Sequence, residues 1–141
     1  LVLANETANQ SINNTTTTAL TYTVADLYDT QSQHSVSSNT SRLTVGTGNT
    51  GLYFIHAAGM WASNATGYRW VGLRLNGTTE LYRVTSPAVN GDVMGWQVSG
   101  FYRLAATTDY VEVICYQTSG AALNMVNATQ SGKFGWQWVA A

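Results

Sequence analysis

The sequence predicts an all-β sandwich, and three observations carry that reading. Short segments rich in β-branched and aromatic residues alternate with turns at roughly 8–12-residue spacing. Glycines, 13 in all, punctuate those segments, most of them at the turns, and Pro87 is the only proline. No stretch of ten or more residues shows the 3.6-residue apolar period of a helix.

Segment by segment, Gln10–Leu20 is polar but Thr-rich and reads as an edge strand. Leu20, Tyr22 and Val24 alternate with polar residues, as in a half-buried strand. Arg42–Val45 is a short strand ending in the glycine-rich loop 46–51, which feeds Leu52–Trp61. Tyr68–Leu75 closes on Asn76-Gly77, a two-residue hairpin signal because both residues tolerate positive φ. Further strands are expected at Leu81–Thr85, Met94–Val98, Gly100–Leu104, Asp109–Gln117, Ala122–Val126 and Phe134–Val139. Residues 1–9 read as an N-terminal tether and residues 10–141 as one domain, long enough to bury its own core. The start without Met reads as a trimmed product or a piece of a longer chain.

Apolar residues make up 45% of the chain, but charged residues only 9%, against about 25% in an average domain. Hydroxyls and amides supply the surface polarity. Six basic and seven acidic residues are scattered, so no stripe exists to neutralise phosphates, and nucleic acid is not an expected partner. No apolar run approaches the length of a membrane-spanning helix, so membrane insertion is not expected. Asn-x-Ser/Thr triplets such as those at Asn39, Asn64 and Asn76 read as chance products of an Asn- and Thr-rich chain. Cys115, in the apolar run Val111–Tyr116, reads as an inert core thiol.

Leu52–Trp61 is the most informative segment. Successive strand residues point to opposite faces. Tyr53, Ile55, Ala57, Gly59 and Trp61 occupy one, while Leu52, Phe54, His56, Ala58 and Met60 occupy the other. Both are apolar, whereas a sandwich strand normally keeps one polar face. A second layer must cover the extra face, and in a one-domain chain without helices that layer is another subunit. His56, without a partner motif, reads as a packed histidine rather than an ion site. His34 reads as a solvated loop histidine.

The motifs then bring a family into view. Gly51-Leu-Tyr-Phe-Ile, Val71-Gly-Leu-Arg-Leu-Asn-Gly77, Gln97-Val-Ser-Gly-Phe-Tyr-Arg-Leu104 and Phe134-Gly-Trp-Gln-Trp-Val139 occur in the order seen in the complement 1q globular head and tumour necrosis factor jelly rolls. The chain resembles that family from about Gln10 to Val139. Tyr28-Asp-Thr, His34-Ser, Asn64-Ala-Thr-Gly-Tyr-Arg69 and Arg74-Leu-Asn-Gly-Thr78 resemble its bacterial and bacteriophage branch. The resemblance implies a ten-stranded jelly-roll β-sandwich, a homotrimer and a binding role. It places Phe54, His56, Ala58 and Met60 toward a threefold axis, with Gln97 and Gln137 joining them. Tyr53, Ile55, Leu73, Leu75, Leu104, Phe134 and Trp136 would fill the core. The collagen-like stalk is missing, and Asp26, Asp29, Asp92 and Asp109 are too dispersed for the family's apical calcium site, so no metal is expected.

Catalytic, phosphate-binding and zinc-protease motifs are absent, and Glu80 and Glu112 lack the spacing of a paired acid and base. No enzyme activity, catalytic residue or cofactor is expected. Two roles follow. One is a virion-surface structural protein of a bacteriophage, either a capsid decoration protein or a head or tail fibre domain, partnered by other capsid or tail proteins. The other is a module, in a tail fibre or a secreted bacterial protein, that binds a host cell-surface glycan or receptor. Aromatic platforms serve such recognition; Tyr68 and Arg69, at a loop-to-strand edge, are the candidate ligand contacts. Both roles place the protein on a virion surface or outside the cell.

Overall fold

A computed structural model describes residues 1–127 and 132–141. Twelve strands lie among the described residues: β1 Val2–Glu6, β2 Gln10–Ile12, β3 Thr18–Ala19, β4 Val24–Asp29, β5 Arg42–Thr44, β6 Gly51–Trp61, β7 Asn64–Leu75, β8 Thr79–Val89, β9 Met94–Leu104, β10 Tyr110–Gln117, β11 Leu123–Met125 and β12 Gly132–Ala140. They form two antiparallel sheets. The first runs β2-β11-β6-β12-β1-β4, with β9 on the other side of β6. The second runs β3-β10-β7-β8, with β5 also paired to β10.

Period-two alternation builds the core between the sheets. Tyr53, Ile55, Ala57 and Trp61 of β6 meet Val71 and Leu73 of β7, Val111 and Val113 of β10, and Phe134 and Trp136 of β12. Rings pack pairwise, Tyr53 against Trp136 at 4.8 Å and Tyr22 against Phe134 at 5.5 Å. The expected core residues are buried, with Leu75 only partly so. Cys115 is buried, its Sγ 3.4 Å from the Thr18 carbonyl, and burial pushes its thiol pKa well up. The β7–β8 hairpin turns at Asn76 (φ 50°) and Gly77 (φ 71°), the left-handed pair that Asn-Gly supplies. Pro87 is tolerated because β8 is an edge strand.

Several expectations change. Residues 1–9 are not a free tether: Val2–Glu6 pair with β12 and β4, and Val2 and Ala4 are core residues. The Val-Leu-Ala-Asn alternation supplies the buried face. Gln10–Leu20 does not make one edge strand but two short ones on different sheets, β2 with β11 and β3 with β10. Met94–Leu104 is one strand, because Gly100 needs no break to fit the ladder.

Gly100 instead admits a neighbour. A Cβ there would lie 2.2 Å from the Tyr82 ring, which crosses from β8 and donates its hydroxyl to the Phe101 carbonyl at 2.5 Å. Tyr82 thus closes one side of the sandwich. Gly100→Ala should destabilise the fold by about 1–3 kcal/mol through overpacking. Gly95→Ala, on the same strand with no atom within 4 Å of the new Cβ, should cost far less. Urea midpoints of the two variants check this.

The β1 carboxylate Glu6 is another anchor. It accepts the amides of Thr7, Ala8 and Thr23 and the Thr23 hydroxyl at 2.7–2.9 Å. Burial alone would raise its pKa, but these hydrogen bonds outweigh burial and hold it below the ordinary 4.5. Its contribution is therefore present above pH 4.5 and is lost as pH falls through the lower folded value. Glu6→Gln should cost about 1–3 kcal/mol at pH 7. The gap to the parent should narrow by pH 3 in paired denaturant titrations.

Candidate functional site

The outer face of the first sheet is built by register. On β6, Phe54 lies opposite Phe101 of β9 and Gln137 of β12; His56 lies opposite Ser99 and Gly135. Ala58 lies opposite Gln97 and Lys133, and Met60 opposite Gly95. The six residues assigned to the threefold axis from sequence thus share one face. Their surroundings are apolar at the centre. The Phe54 ring sits 5.1 Å from Phe101 and stacks on His56 at 6.0 Å. Gly135 leaves room for this: a Cβ there would press on His56 Nε2 at 3.1 Å and Leu3 Cδ1 at 3.0 Å.

Phe54, His56, Ala58 and Met60 are half-buried, Gln97 and Gln137 exposed. Phe101 leaves 57% of its surface open to solvent. Phe101, Leu3 and Tyr28, which lies opposite Leu3, extend the patch beyond the six. Lys133, opposite Ala58, and Arg103, opposite Leu52, bring positive charge to the face. Lys133 Nζ donates to Asn5 Oδ1 at 2.6 Å, and Arg103 reaches the Ala141 carbonyl at 3.1 Å. Partial burial lowers the pKa of His56 and favours the neutral ring at pH 7. A centre of two phenylalanines, a neutral imidazole, Ala58 and Met60 can exclude water against a like surface.

The second candidate pair splits. Tyr68 is 44% exposed and lies 5.9 Å from Tyr116, which stacks on Trp70 at 5.6 Å; the Arg83 guanidinium covers Trp70 at 4.0 Å. Arg69, the next residue, points inward and is only 1% exposed. It donates to the Asn64 carbonyl at 2.9 Å and the Thr66 carbonyl at 3.4 Å, securing the start of β7. Arg69 is therefore not a surface ligand contact, a consequence of strand alternation.

His34 is also corrected. Its side chain is fully buried rather than solvated, with Nδ1 2.7 Å from Asp26 Oδ1 and Nε2 3.2 Å from the Thr40 carbonyl. Burial raises the pKa of Asp26, and His34 partly offsets that. Glu80 pairs with Arg83, and Glu112 with Arg74, leaving the two carboxylates in separate ion pairs. Among the described residues no three His, Cys, Asp or Glu side chains gather to hold a metal.

The two antiparallel sheets form an all-β sandwich whose fold is that of a jelly roll like those of complement 1q and tumour necrosis factor domains. No protein-family model matches the chain, and no curated protein matches it in sequence. Solved structures do match in fold. The globular domain of the zebrafish complement 1qA protein superposes with a TM-score of 0.64 at 14% identity, covering 98% of this chain and 94% of that one. Murine APRIL superposes with a TM-score of 0.67 at 10% identity, covering 98% of both chains.

Proposed function

We propose that the chain assembles as a homotrimer through the outer face of its first sheet and serves as a non-enzymatic structural protein on a bacteriophage particle. The observation that carries the assembly is the apolar second face of β6, widened by Phe101 and Leu3. A single buried Phe is worth about 1.5–3 kcal/mol, part of which the half-buried Phe54 and the exposed Phe101 forgo in a lone protomer. The fold shared with complement 1q and APRIL is compatible with this arrangement. The phage setting, as a capsid decoration protein or a head or tail fibre domain, rests on the low-charge, Thr- and Asn-rich surface and on the sequence motifs. It implies a virion-surface location and capsid or tail proteins as neighbours.

A second reading, a receptor- or saccharide-binding module, draws support from the open Tyr68–Tyr116 pair on the opposite sheet. The two readings are compatible in a fibre tip. Native mass measurement tests the assembly: three copies support it, and a stable monomer overturns it. Proteomic analysis of purified particles tests the location.

A further inference from the structure

The loop from Thr30 to Ser41 joins the two sheets at the edge opposite β8 and β9, and its sequence is almost wholly hydroxyl and amide. Asp29 accepts the amides of Gln31, Gln33 and His34, and the buried His34 ring pins the loop to Asp26 and Thr40. Gln33 turns inward to the Val45 carbonyl. What remains between the loop and β5 is a cleft of about 300 Å³, the lower end of the range for ligand sites. Ser32, Ser38, Asn39 and Thr44 line it, together with Arg42.

Arg42 gives the cleft its chemistry. Its guanidinium lies over the Tyr110 ring at 4.5 Å, which fixes its plane. The Nε–H is buried and has no hydrogen-bond partner. Glu112 stands across from Arg42 in the ladder, but its Oε1 accepts from Ser41 and its Oε2 from Arg74. Among the described residues no ion pair includes Arg42. The other charges nearby are Asp26, held by His34, and Asp29, occupied by loop amides. A guanidinium held over Tyr110, outside every ion pair of the described residues and lined by hydroxyls and the amides of Gln33 and Asn39, matches a planar oxyanion carried on a polyol.

We propose that this cleft binds an acidic saccharide, with Arg42 holding its carboxylate or sulfate and Ser32, Ser38 and Asn39 meeting its hydroxyls. The proposal rests on the saccharide-binding reading and is independent of threefold assembly.

Amide-resolved NMR titration of the whole chain with sialyllactose, sulfated lactose and lactose tests it. At least one acidic sugar is expected to perturb amides of residues 32–44 with saturation, while lactose leaves them unmoved. Arg42→Gln should weaken that binding at least tenfold. Asn39→Gly accommodates the positive φ of 53° and should weaken it several-fold, with the unliganded spectrum preserved. Equal response to lactose, undiminished binding by a folded Arg42→Gln chain, or inorganic sulfate binding as tightly as the sugars would overturn the site. Perturbations at Tyr68 and Tyr116 instead would overturn this cleft and leave the binding reading standing. No response to any sugar would remove both.

Discussion

Phe54→Glu is expected to turn the proposed homotrimer into folded monomers. Phe54 sits at the middle of the outer face, between Phe101, His56 and Gln137. Around a threefold axis one substitution acts three times. Removing three buried phenyl rings forfeits roughly 5–9 kcal/mol at the transfer value for Phe. Three carboxylates brought together in a water-poor interface then repel one another, and burying each without a partner costs several kcal/mol more. Within a protomer the loss is small, because cross-strand pairs on a solvated face are worth about 0.2–1 kcal/mol. Native mass spectrometry should read one copy rather than three, while near-ultraviolet circular dichroism stays unchanged. A Phe54→Glu chain that still weighs three copies would move the interface elsewhere on the molecule.

The outer face was legible in the sequence because a period of two sorts β6 without ambiguity: eleven residues, no charged carboxylate, lysine or arginine, two greasy sides. Gln97 and Gln137 came from the family resemblance. Phe101 was not found, because Ser99-Gly100 reads as a break; the structure instead uses Gly100 as the slot for Tyr82. The strand β1 was hidden by its shortness and its place at the start of the chain. It gains meaning only when β12 and β4, more than 100 and about 20 residues away, supply its hydrogen bonds. Arg69 misled because its acceptors are backbone carbonyls, which no residue name reveals. The Asp26–His34 pair carries no spacing signal either, since a loop closes the distance rather than a helix or strand. The Arg42 cleft was likewise unreadable: Arg42, Tyr110 and Glu112 meet through a pairing of β5 with β10, far apart along the chain.

Trp136→Ala is expected to have the largest effect on the protomer itself, and Trp138→Ala a small one, although the two tryptophans stand two residues apart. Both belong to the same strand, so alternation alone assigns them to the same face. Their neighbours differ. Trp136 is opposite Val2 of β1 and Ile55 of β6, fully buried, 4.8 Å from the Tyr53 ring. Its indole N–H donates to Gln33 Oε1 at 2.9 Å, and Gln33 Nε2 donates to the Val45 carbonyl at 2.9 Å. Trp138 lies past the last β1 partner, where the β12 register shifts, and 45% of it remains exposed. Truncating Trp136 leaves a large cavity, worth about 3–5 kcal/mol. It also strands the buried Gln33 oxygen, which adds about 1–3 kcal/mol where no water enters. Against a total stability of about 5–15 kcal/mol, that removes about a quarter of it or more. For a chain of this size the melting temperature should fall by roughly 10–25 °C. Trp136→Phe, which keeps an aromatic ring but not the N–H, should fall between the parent and Trp136→Ala. Equal losses for Trp136→Ala and Trp138→Ala would mean that the Gln33–Trp136 link does not anchor the core, and that the β1–β12 pairing does not distinguish the two positions.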